Sequence, residues 1–365
     1  MTIRTVKKDG TGNFTTITTA VAASAADDII EIQDTGVYNE KFEIFYARMK
    51  IRSSNFMSGI LDSLPVLDGT AINGSPITSY ASGCVYMGLE IRNWGSPASS
   101  HLINAGTGAG WNKVLSGCYI HGNNSHGVSA IAGAADNYAV IQDCKIVANA
   151  VNGINAGDWL IINNCAIIST ASNRHGIIGN GLANATASFC TVDFNANTSS
   201  GPIATFGIGL TTGKVINCIV TGTNNGPSTT GLTAIATDTG TYNCVHLYTT
   251  IPFANSSFAA RALGTGEFVG DPLFVNTSIG DYSLQVTSPC IDTGISYSTI
   301  FGTVITDVTG TARPQNLLYD IGAYEYIPLI VVVPAARTTR RRYLMFGRNP
   351  KSGAYTKIYP TDRRH

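Results

Sequence analysis

Apolar and polar positions along this chain repeat in a short frame that contains a cysteine. An apolar residue and two polar residues precede the cysteine, and a variable residue and a second apolar residue follow it. The frame occurs six times, at intervals of 26, 21, 25, 28 and 26 residues, with its cysteines at Cys118, Cys144, Cys165, Cys190, Cys218 and Cys244. Alternation within a strand places Cys144 and Ile146 inward and Lys145 outward. A repeat of this length favours a coil of short strands over a bundle of helices.

Two further features keep step with the cysteines. A glycine and an aliphatic residue follow each of the first five frames, at Gly127, Gly153, Gly176, Gly207 and Gly231. Asp or Asn stands immediately before four of the cysteines, at Asp143, Asn164, Asn217 and Asn243. Asn and Asp tolerate the left-handed backbone that a sharp bend between short strands requires. The chain is therefore predicted to be all-β, a single-stranded right-handed parallel β-helix with roughly nine or ten turns before residue 265.

The two ends depart from the repeat. Residues 14–26 have the spacing of a short amphipathic helix, which would cover the open core and the unpaired strand edge at the mouth of the solenoid. We predict an N-terminal cap over residues 1–28, a parallel β-helix over 29–264, a terminal β segment that closes the helix over 265–327, and a linker with a basic docking arm over 328–365.

Composition and charge agree with a β-rich chain that ends in a basic tail. Only 13% of the residues are charged and 39 are glycine, which suits many turns. Nine Arg or Lys and one acid lie between Arg337 and His365, so the tail carries +8 and the rest of this neutral chain carries −8. The first residues show no apolar signal segment, and no apolar run approaches the ~18 residues of a membrane span. We expect a protein that is not exported by a signal peptide.

Both ends of the chain resemble known β-helix proteins. The opening is similar to pectin methylesterases and their relatives in the pectin lyase-like superfamily, and the matching residues are Asp9, Gly10, Gly12, Phe14, Ile17, Ala20, Val21, Gly36, Tyr38 and Glu40. The segment "GDPLF…DYSLQ…SPCIDTG…ARP…DIGAYEY" resembles the terminal part of bacterial and phage β-helix proteins, mostly of unassigned function. The "G-x-x-D-F-I-F-G" segment of pectin methylesterases does not occur in this sequence. The resemblance therefore implies the fold and a capping element, and not the esterase activity.

The cysteines are expected to fill the core. Zinc sites commonly use C-x2-4-C pairs, and this sequence has none. In a reducing compartment stacked cysteines remain thiols, and a free cysteine behaves as a small apolar residue. We predict no metal and no cofactor. The late cluster Asp292, Asp307, Asp320, Glu325 and Arg313 is either a cation site or an ion-pair lock for irregular chain, and the need of such loops for side-chain partners favours the lock.

Candidate site residues are sought at outward positions. Glycosidases use pairs of carboxylates, which makes Asp193, Asp158 and Asp136 the candidate catalytic acids. Asp193 occupies the position of His121 about three turns away, too far for a single proton relay. His126 and His175 share one repeat position before the glycine; with His121 and Lys145 they are the candidate glycan-binding residues. The alternative for each is a structural acid or a solvated turn residue.

The basic tail interleaves aromatic and cationic side chains. Its candidate docking residues are Arg340, Arg341, Arg342, Tyr343, Phe346, Tyr355 and Tyr359. The alternatives are a disordered tail or a nucleic-acid contact, and protein docking is favoured. Together these features predict a non-enzymatic structural or adhesive component of a phage-like virion, in the head or the tail, assembled in the host cytoplasm. The expected partners are other virion proteins, two further copies in a homotrimer, and host surface polysaccharide. The alternative is a tailspike-type polysaccharide lyase, hydrolase or esterase.

Overall fold

A computed structural model of the chain describes residues 1–56, 63–95, 103–105, 113–124, 126–130, 139–150, 152–156, 160–169, 176–194, 205–222, 232–237, 239–247, 251–255, 257, 259–299, 302–328, 346–348 and 355–357. The chain divides into two compact units, Met1–Pro328 and Leu329–His365. In the second unit two short strands, at 346–348 and 355–357, pair antiparallel.

The described residues are almost entirely strands and turns. Among these described residues the one α-helix is α1 (Ile17–Ala22), and a 3-10 helix spans Thr277–Ile279. The strands, in chain order, are β1 (Ile3–Val6), β2 (Ile29–Ile32), β3 (Val37–Tyr38), β4 (Phe42–Ile44), β5 (Lys50–Ser53), β6 (Val66–Asp68), β7 (Ile77–Ser79), β8 (Val85–Met87), β9 (Glu90–Arg92), β10 (Ile103–Ala105), β11 (Lys113–Ser116), β12 (Tyr119–His121), β13 (Val128–Ala130), β14 (Ala139–Gln142), β15 (Lys145–Val147), β16 (Ile154–Ala156), β17 (Leu160–Asn163), β18 (Ala166–Ser169), β19 (Ile177–Ser188), β20 (Thr191–Phe194), β21 (Thr205–Ile216), β22 (Ile219–Thr221), β23 (Leu232–Ala236), β24 (Thr239–Thr241), β25 (Cys244–Val245), β26 (Ile251–Ala254), β27 (Phe268–Val269), β28 (Phe274–Asn276), β29 (Asp281–Leu284), β30 (Ser298–Thr299), β31 (Gly302–Thr303), β32 (Phe346–Arg348) and β33 (Tyr355–Lys357). In the part of the chain that the structure describes, no helix is long and apolar enough to cross a membrane.

Three parallel sheets run along the solenoid. The described strands form a 14-stranded sheet from β1 to β26, a three-stranded sheet of β4, β7 and β10, and a ten-stranded sheet of β3, β6, β9, β12, β15, β18, β20, β22, β25 and β27. Each turn of the chain adds one strand to a sheet beside its equivalent from the previous turn, as in β12–β15–β18. This architecture is the predicted right-handed parallel β-helix.

The repeated cysteines form an internal stack, as the sequence predicts. Cys118, Cys144, Cys165, Cys190 and Cys218 are fully buried, and all eight cysteines of the chain are free thiols. The thiols donate to backbone carbonyls, for example Cys165 Sγ to Asn163 O at 3.2 Å. Burial raises the pKa of the Cys165 thiol, since a thiolate there would lack solvation. The cysteines therefore act as small core residues.

The sharp bends before the stack confirm three of the four predicted positions and correct the fourth. Asp143, Asn164 and Asn217 have φ values of 55°, 55° and 53°. In the sixth turn Tyr242 occupies the bend, with φ 55°. Asn243 is therefore not a bend residue.

That turn is shifted by one residue, so an asparagine replaces the sixth cysteine of the stack. Asn243 is fully buried; its Oδ1 accepts from Cys218 N at 2.9 Å, and its Nδ2 donates to Val215 O at 2.8 Å. Cys244 pairs with Ile219, one position later than the frame predicts. It is buried in a separate cluster with Cys290 and Leu284. The sequence does not reveal this one-residue shift, because Asn243–Cys244 has the same Asn-Cys order as two of the earlier frames.

The repeated glycines permit close approach between walls of the solenoid. A Cβ added to Gly153 would lie 2.4 Å from Ile167 Cγ2 and 2.6 Å from Gly176 O, and a Cβ on Gly127 or Gly176 meets the same kind of contact. These distances are shorter than any carbon side chain accepts. The glycine repeat is thus a packing requirement of the narrow core.

The resemblance residues at the N-terminus build the cap. Helix α1 buries Ile17, Ala20 and Val21; it occupies the middle of the predicted 14–26 segment. The Glu40 carboxylate accepts from Ile17 N at 2.9 Å and Thr18 N at 2.8 Å, which satisfies free amides at the helix N-terminus. The residues shared with pectin methylesterases therefore include a structural helix anchor.

The segment after the last turn contacts earlier turns of the solenoid. Arg261 and the fully buried Glu267 carboxylate form an ion pair at 2.7 Å in the last turn. From Asp271 to Ile327, a segment named here the strap, the chain contacts earlier turns: Tyr282 bonds Asp193, and Ile295 bonds Asn217. The strap therefore contacts the side of the solenoid, and the closing of its end by residues 265–327 stays a prediction.

Candidate functional site on the outer face of the ten-stranded sheet

The outward side chains of the ten-stranded sheet, named here the outer face, include three of the sequence candidates, His121, Lys145 and Asp193. Strand alternation turns Ile91, Ile120, Ile146 and Ile167 inward, where they are buried. One outward row contains Glu90, Tyr119, Lys145, Ala166, Thr191 and Ile219. The other contains Asp68, Arg92, His121, Val147, Ile168, Asp193 and Thr221. The register thus places His121 and Asp193 three turns apart.

The first turns of the outer face carry a charged network. Arg92 Nε lies 2.9 Å from Asp68 Oδ2, and Arg92 Nη1 lies 2.9 Å from Glu90 Oε1. The same Glu90 oxygen lies 3.0 Å from His121 Nε2. The His121 ring stacks on Tyr119, with centroids 4.3 Å apart and planes at 22°. A carboxylate–imidazole pair is suited to proton transfer, but here the Glu90 oxygen is also shared with a guanidinium.

Asp68 is committed to structure in this network. Burial raises its pKa, but the Thr70 hydroxyl and amide and the Arg92 and Asn93 side chains bind the carboxylate and together hold the pKa well below its usual range. Asp68 is therefore an anion that anchors a turn and an arginine, since a protonated carboxyl would lose these interactions.

Glu90 and Arg92 were missed at the sequence level. The stretch "LEIRN" at residues 89–93 has the same frame as "CYIHG" at 118–122, with Leu89 in place of the cysteine. Aligning the two would have placed Glu90 and Arg92 on the outer face beside His121. This turn lacks the cysteine frame because its core residue is leucine.

Asp193 lies under the strap. The Tyr282 hydroxyl donates to Asp193 Oδ2 at 2.6 Å. Burial raises the pKa of Asp193, and the hydrogen bond from Tyr282 partly opposes that effect. Its neighbours along the row are Ile168 and Thr221, so no second carboxylate stands beside it in these described strands.

A small cavity of about 280 Å³ opens beside Asp193 and is also lined by Thr221, His246, Asp271 and Phe274. His246 Nδ1 lies 3.4 Å from Thr221 Oγ1 and 3.8 Å from Asp271 Oδ1. The cavity therefore has an acid, a hydroxyl and an imidazole in sequence along the solenoid axis. His246 and Asp271 were not among the sequence candidates.

Arg313 fixes the strap to the solenoid. Its guanidinium is fully buried, donates to Glu325 Oε2 at 2.8 Å and to Gly322 O at 2.8 Å, and lies 4.7 Å from the centre of the Phe189 ring. Burial raises the pKa of Glu325 to about 7 against the opposing effect of Arg313. Breaking such a pair leaves an uncompensated buried charge.

The acidic residues of the strap satisfy backbone amides. Asp307 Oδ1 accepts from Thr309 N and Thr311 N, and Asp320 accepts from Asp292 N and Tyr326 N. Among the described residues no group of three or more His, Cys, Asp or Glu side chains is arranged to hold a metal ion. The cluster is built as the ion-pair lock that the sequence favours.

The other candidates are placed as follows. His126 precedes β13, a strand of the 14-stranded sheet, and its Nδ1 accepts from Asn152 N at 3.3 Å. His121 and Lys145 lie on the ten-stranded sheet, so His126 is next to a different sheet from these two candidates. Several candidates lie outside the described residues: Asp136, Asp158, His175, Arg340, Arg341, Arg342, Tyr343 and Tyr359. Phe346 and Tyr355 lie on the paired strands β32 and β33.

The stacked parallel sheets define the class of this protein, the right-handed parallel β-helix proteins. No family model matches the sequence. A probable pectinesterase/pectinesterase inhibitor 17 of Arabidopsis thaliana is 28% identical over 163 residues, which cover 39% of this chain and 31% of the plant protein. The chain thus spans about a third of that relative, and the predicted similarity to pectin methylesterases is confirmed.

Similar solved structures include a pectate lyase and a pectin methylesterase. Pectate lyase Pel9A has a TM-score of 0.49 and 12% identity, with 89% of this chain and 96% of that chain covered. A pectin methylesterase from Aspergillus niger has a TM-score of 0.42 and 14% identity, with 73% and 83% covered. The predicted resemblance of the strap to phage proteins stays a prediction.

Proposed function

We propose that this protein is a non-catalytic structural and adhesive β-helix, a component of a phage-like virion that presents its solenoid to surface polysaccharide. One observation carries the non-catalytic part: the strap occupies the outer face at Asp193. Tyr282 bonds the Asp193 carboxylate directly, and Ala323 N donates to Thr191 Oγ1 at 2.9 Å on the same strand. A substrate chain lying along this face would have to displace the strap.

The open part of the outer face also uses its carboxylates internally. Asp68 and Glu90 both bind Arg92, and Glu90 also binds His121. Acid and base catalysis on a glycosidic bond requires two carboxyl groups with room for substrate between them. Here a guanidinium fills the space between Asp68 and Glu90. The network is suited to stabilising stacked turns.

The C-terminal unit supplies the attachment in this proposal. Its excess of positive charge and its aromatic residues suit docking to an acidic protein surface, where a basic arm gains electrostatic attraction and aromatic contact area. The partners are other virion proteins, in a trimeric assembly formed in the host cytoplasm. Phe346 and Tyr355 lie on the paired strands of this unit.

The attachment is tested with the full chain and a deletion of residues 337–365, each expressed together with the particle and followed by density-gradient sedimentation. The full chain is expected to sediment with the particle and the deletion to remain at the top. Protected core thiols in the deletion variant serve as the folding control. Equal sedimentation of both proteins would refute the role of the arm.

A second candidate function is a polysaccharide-degrading enzyme of the tailspike type. The cavity with Asp193, His246 and Asp271 favours it, since it gathers an acid with a raised pKa and an imidazole, two groups that acid–base catalysis commonly uses. The measurement is the release of new reducing ends or unsaturated products from polysaccharide. Product formation that disappears in Asp193→Asn would establish this candidate and exclude the non-catalytic proposal.

A further inference from the structure

A groove separate from the outer face lies between helix α1 and strand β4, in the first turns of the solenoid. Its volume is about 770 Å³, and its walls include Thr18, Lys41, Glu43, Phe45, Tyr46 and Thr78. This volume falls within the range of roughly 300–1,000 Å³ that is common for small-molecule sites. The groove therefore has room for a short stretch of a polymeric ligand.

Strand alternation builds one wall of the groove. Phe42 and Ile44 are buried, whereas Lys41, Glu43 and Phe45 at the intervening positions are exposed. The strand thus presents a cation, a carboxylate and an aromatic ring in a row at about 7 Å intervals. Lys41 Nζ donates to Asn73 O at 3.5 Å. Among the described residues neither Lys41 nor Glu43 forms an ion pair, so both charges can still pair with a ligand.

The Phe45 ring of this row stacks on a second aromatic ring, Tyr80. Strand β4 pairs with β7 so that Ile44 lies beside Ser79, which brings Phe45 and Tyr80, the next residues, together. Their ring centroids are 5.0 Å apart and their planes differ by 5°. Tyr80 covers one face of Phe45, while Phe45 as a whole remains 63% exposed. A flat, rigid apolar surface is thereby presented to solvent.

Exposed aromatic residues are concentrated here. Besides Phe45, Tyr46 is 45% exposed and Tyr80 is 39% exposed. Exposed aromatic surface that is grouped and bordered by polar side chains is typical of an interaction site, because burying it against a partner is favourable. Hydroxyl groups of Thr18 and Thr78 complete the border.

We propose that this groove binds a hexopyranosyl segment of a polysaccharide. A pyranose has an apolar C–H face that fits the open face of Phe45 and a rim of hydroxyl groups that can bond Glu43, Lys41 and Thr78. The combination of one flat aromatic surface with alternating donors and acceptors matches that chemistry. The inference deepens the proposed adhesive function by naming a site for it, on residues that the sequence analysis did not single out.

The test uses the full-length protein on an immobilised array of bacterial and plant polysaccharides, followed by titration of the polysaccharide that binds most strongly. Phe45→Ala and Tyr80→Ala are expected to weaken binding about tenfold, the range of one aromatic stacking contact. Tyr80→Phe keeps the stack and is expected to bind as the wild type does. Val275→Ala, at an exposed residue of the strap, is the matched surface control.

The proposal is overturned if no polysaccharide on the array binds, or if Phe45→Ala binds as tightly as the wild type. A change in the sedimentation mass of Phe45→Ala without a change in saccharide binding would assign the groove to contact between copies, and would also overturn it. Particle attachment in the same preparations separates this inference from the proposed function. Phe45→Ala is expected to retain attachment, and deletion of residues 337–365 is expected to retain saccharide binding.

Discussion

Asp143 is the position where the effect of a buried carboxyl on the stability of the fold can be tested most directly. It is a bend residue with φ 55°, and its Oδ1 accepts from Asn164 Nδ2 at 2.8 Å. Burial raises the pKa of Asp143 to about 6 from the 3.8 of a solvated aspartate, while the bond from Asn164 partly opposes the shift. The equivalent bends at Asn164 and Asn217 carry an uncharged amide instead. The perturbation is therefore Asp143→Asn.

The sign of the effect follows from the raised pKa. Below pH 3.8 the carboxyl is protonated in both the folded and the unfolded chain, so its full contribution to stability is present. As the pH rises towards 6 the unfolded chain ionises freely while the folded chain resists ionisation, and that stability is lost. The difference between the folded and unfolded pKa values of Asp143 corresponds to about 3 kcal/mol of stability. Because Asp143 is partly exposed, the expected loss of stability is about 1–3 kcal/mol.

Asp143→Asn is therefore expected to raise the free energy of unfolding by about 1–3 kcal/mol at pH 8 and to leave it unchanged at pH 3.5. Asparagine tolerates the left-handed bend and keeps an oxygen for Asn164. Urea unfolding followed by circular dichroism at a series of pH values measures the difference. Glu43→Gln, at an exposed carboxylate of the groove, is the matched control. Equal or lower stability of Asp143→Asn at pH 8 would refute the reasoning.

Three further predictions concern the core and the strap. Gly153→Ala is expected to lower the free energy of unfolding by about 1–3 kcal/mol or more because of overpacking. Gly270→Ala is the control and should change it little, because an added Cβ there meets only ordinary contacts from 3.4 Å. Equal melting temperatures of the two variants would contradict this prediction. Arg313→Met is expected to cost about 3–5 kcal/mol by leaving Glu325 buried without its cation, and Glu325→Gln in the same chain should restore part of the loss; no restoration would show that the pair is not the cause. All eight thiols are free and buried, so a thiol reagent should label none in the native protein and eight in urea; rapid native labelling would show that the stack is open.

The repeat alone is enough to predict the solenoid. Burial of Cys144 and Ile146, the bends at Asn164 and Asn217, and the helix near Ile17 all follow from local patterns, because each turn contacts mainly its neighbours. The one-residue shift at Asn243 escaped this reasoning. An asparagine can serve either as a bend residue or as a buried partner of backbone groups. The sequence pattern alone does not distinguish these two roles.

The strap and the site could not be read from the sequence for a different reason. The bond from Tyr282 to Asp193 spans 89 residues, and the contact of Arg313 with Asn164 spans 149. Such contacts have no periodic signal, because the strap docks by shape and by individual hydrogen bonds. The groove has the same character, since Phe45 and Tyr80 meet only when successive turns stack.

The central claim is that this β-helix binds polysaccharide without cutting it. The most direct test is prolonged incubation of the full-length protein with the polysaccharide that it binds best on the array, followed by measurement of reducing ends, unsaturated products and chain length. The account predicts retained binding, unchanged chain length and no new ends relative to a sample without protein. Accumulation of shortened chains with the wild-type protein, and not with Asp193→Asn, would contradict it.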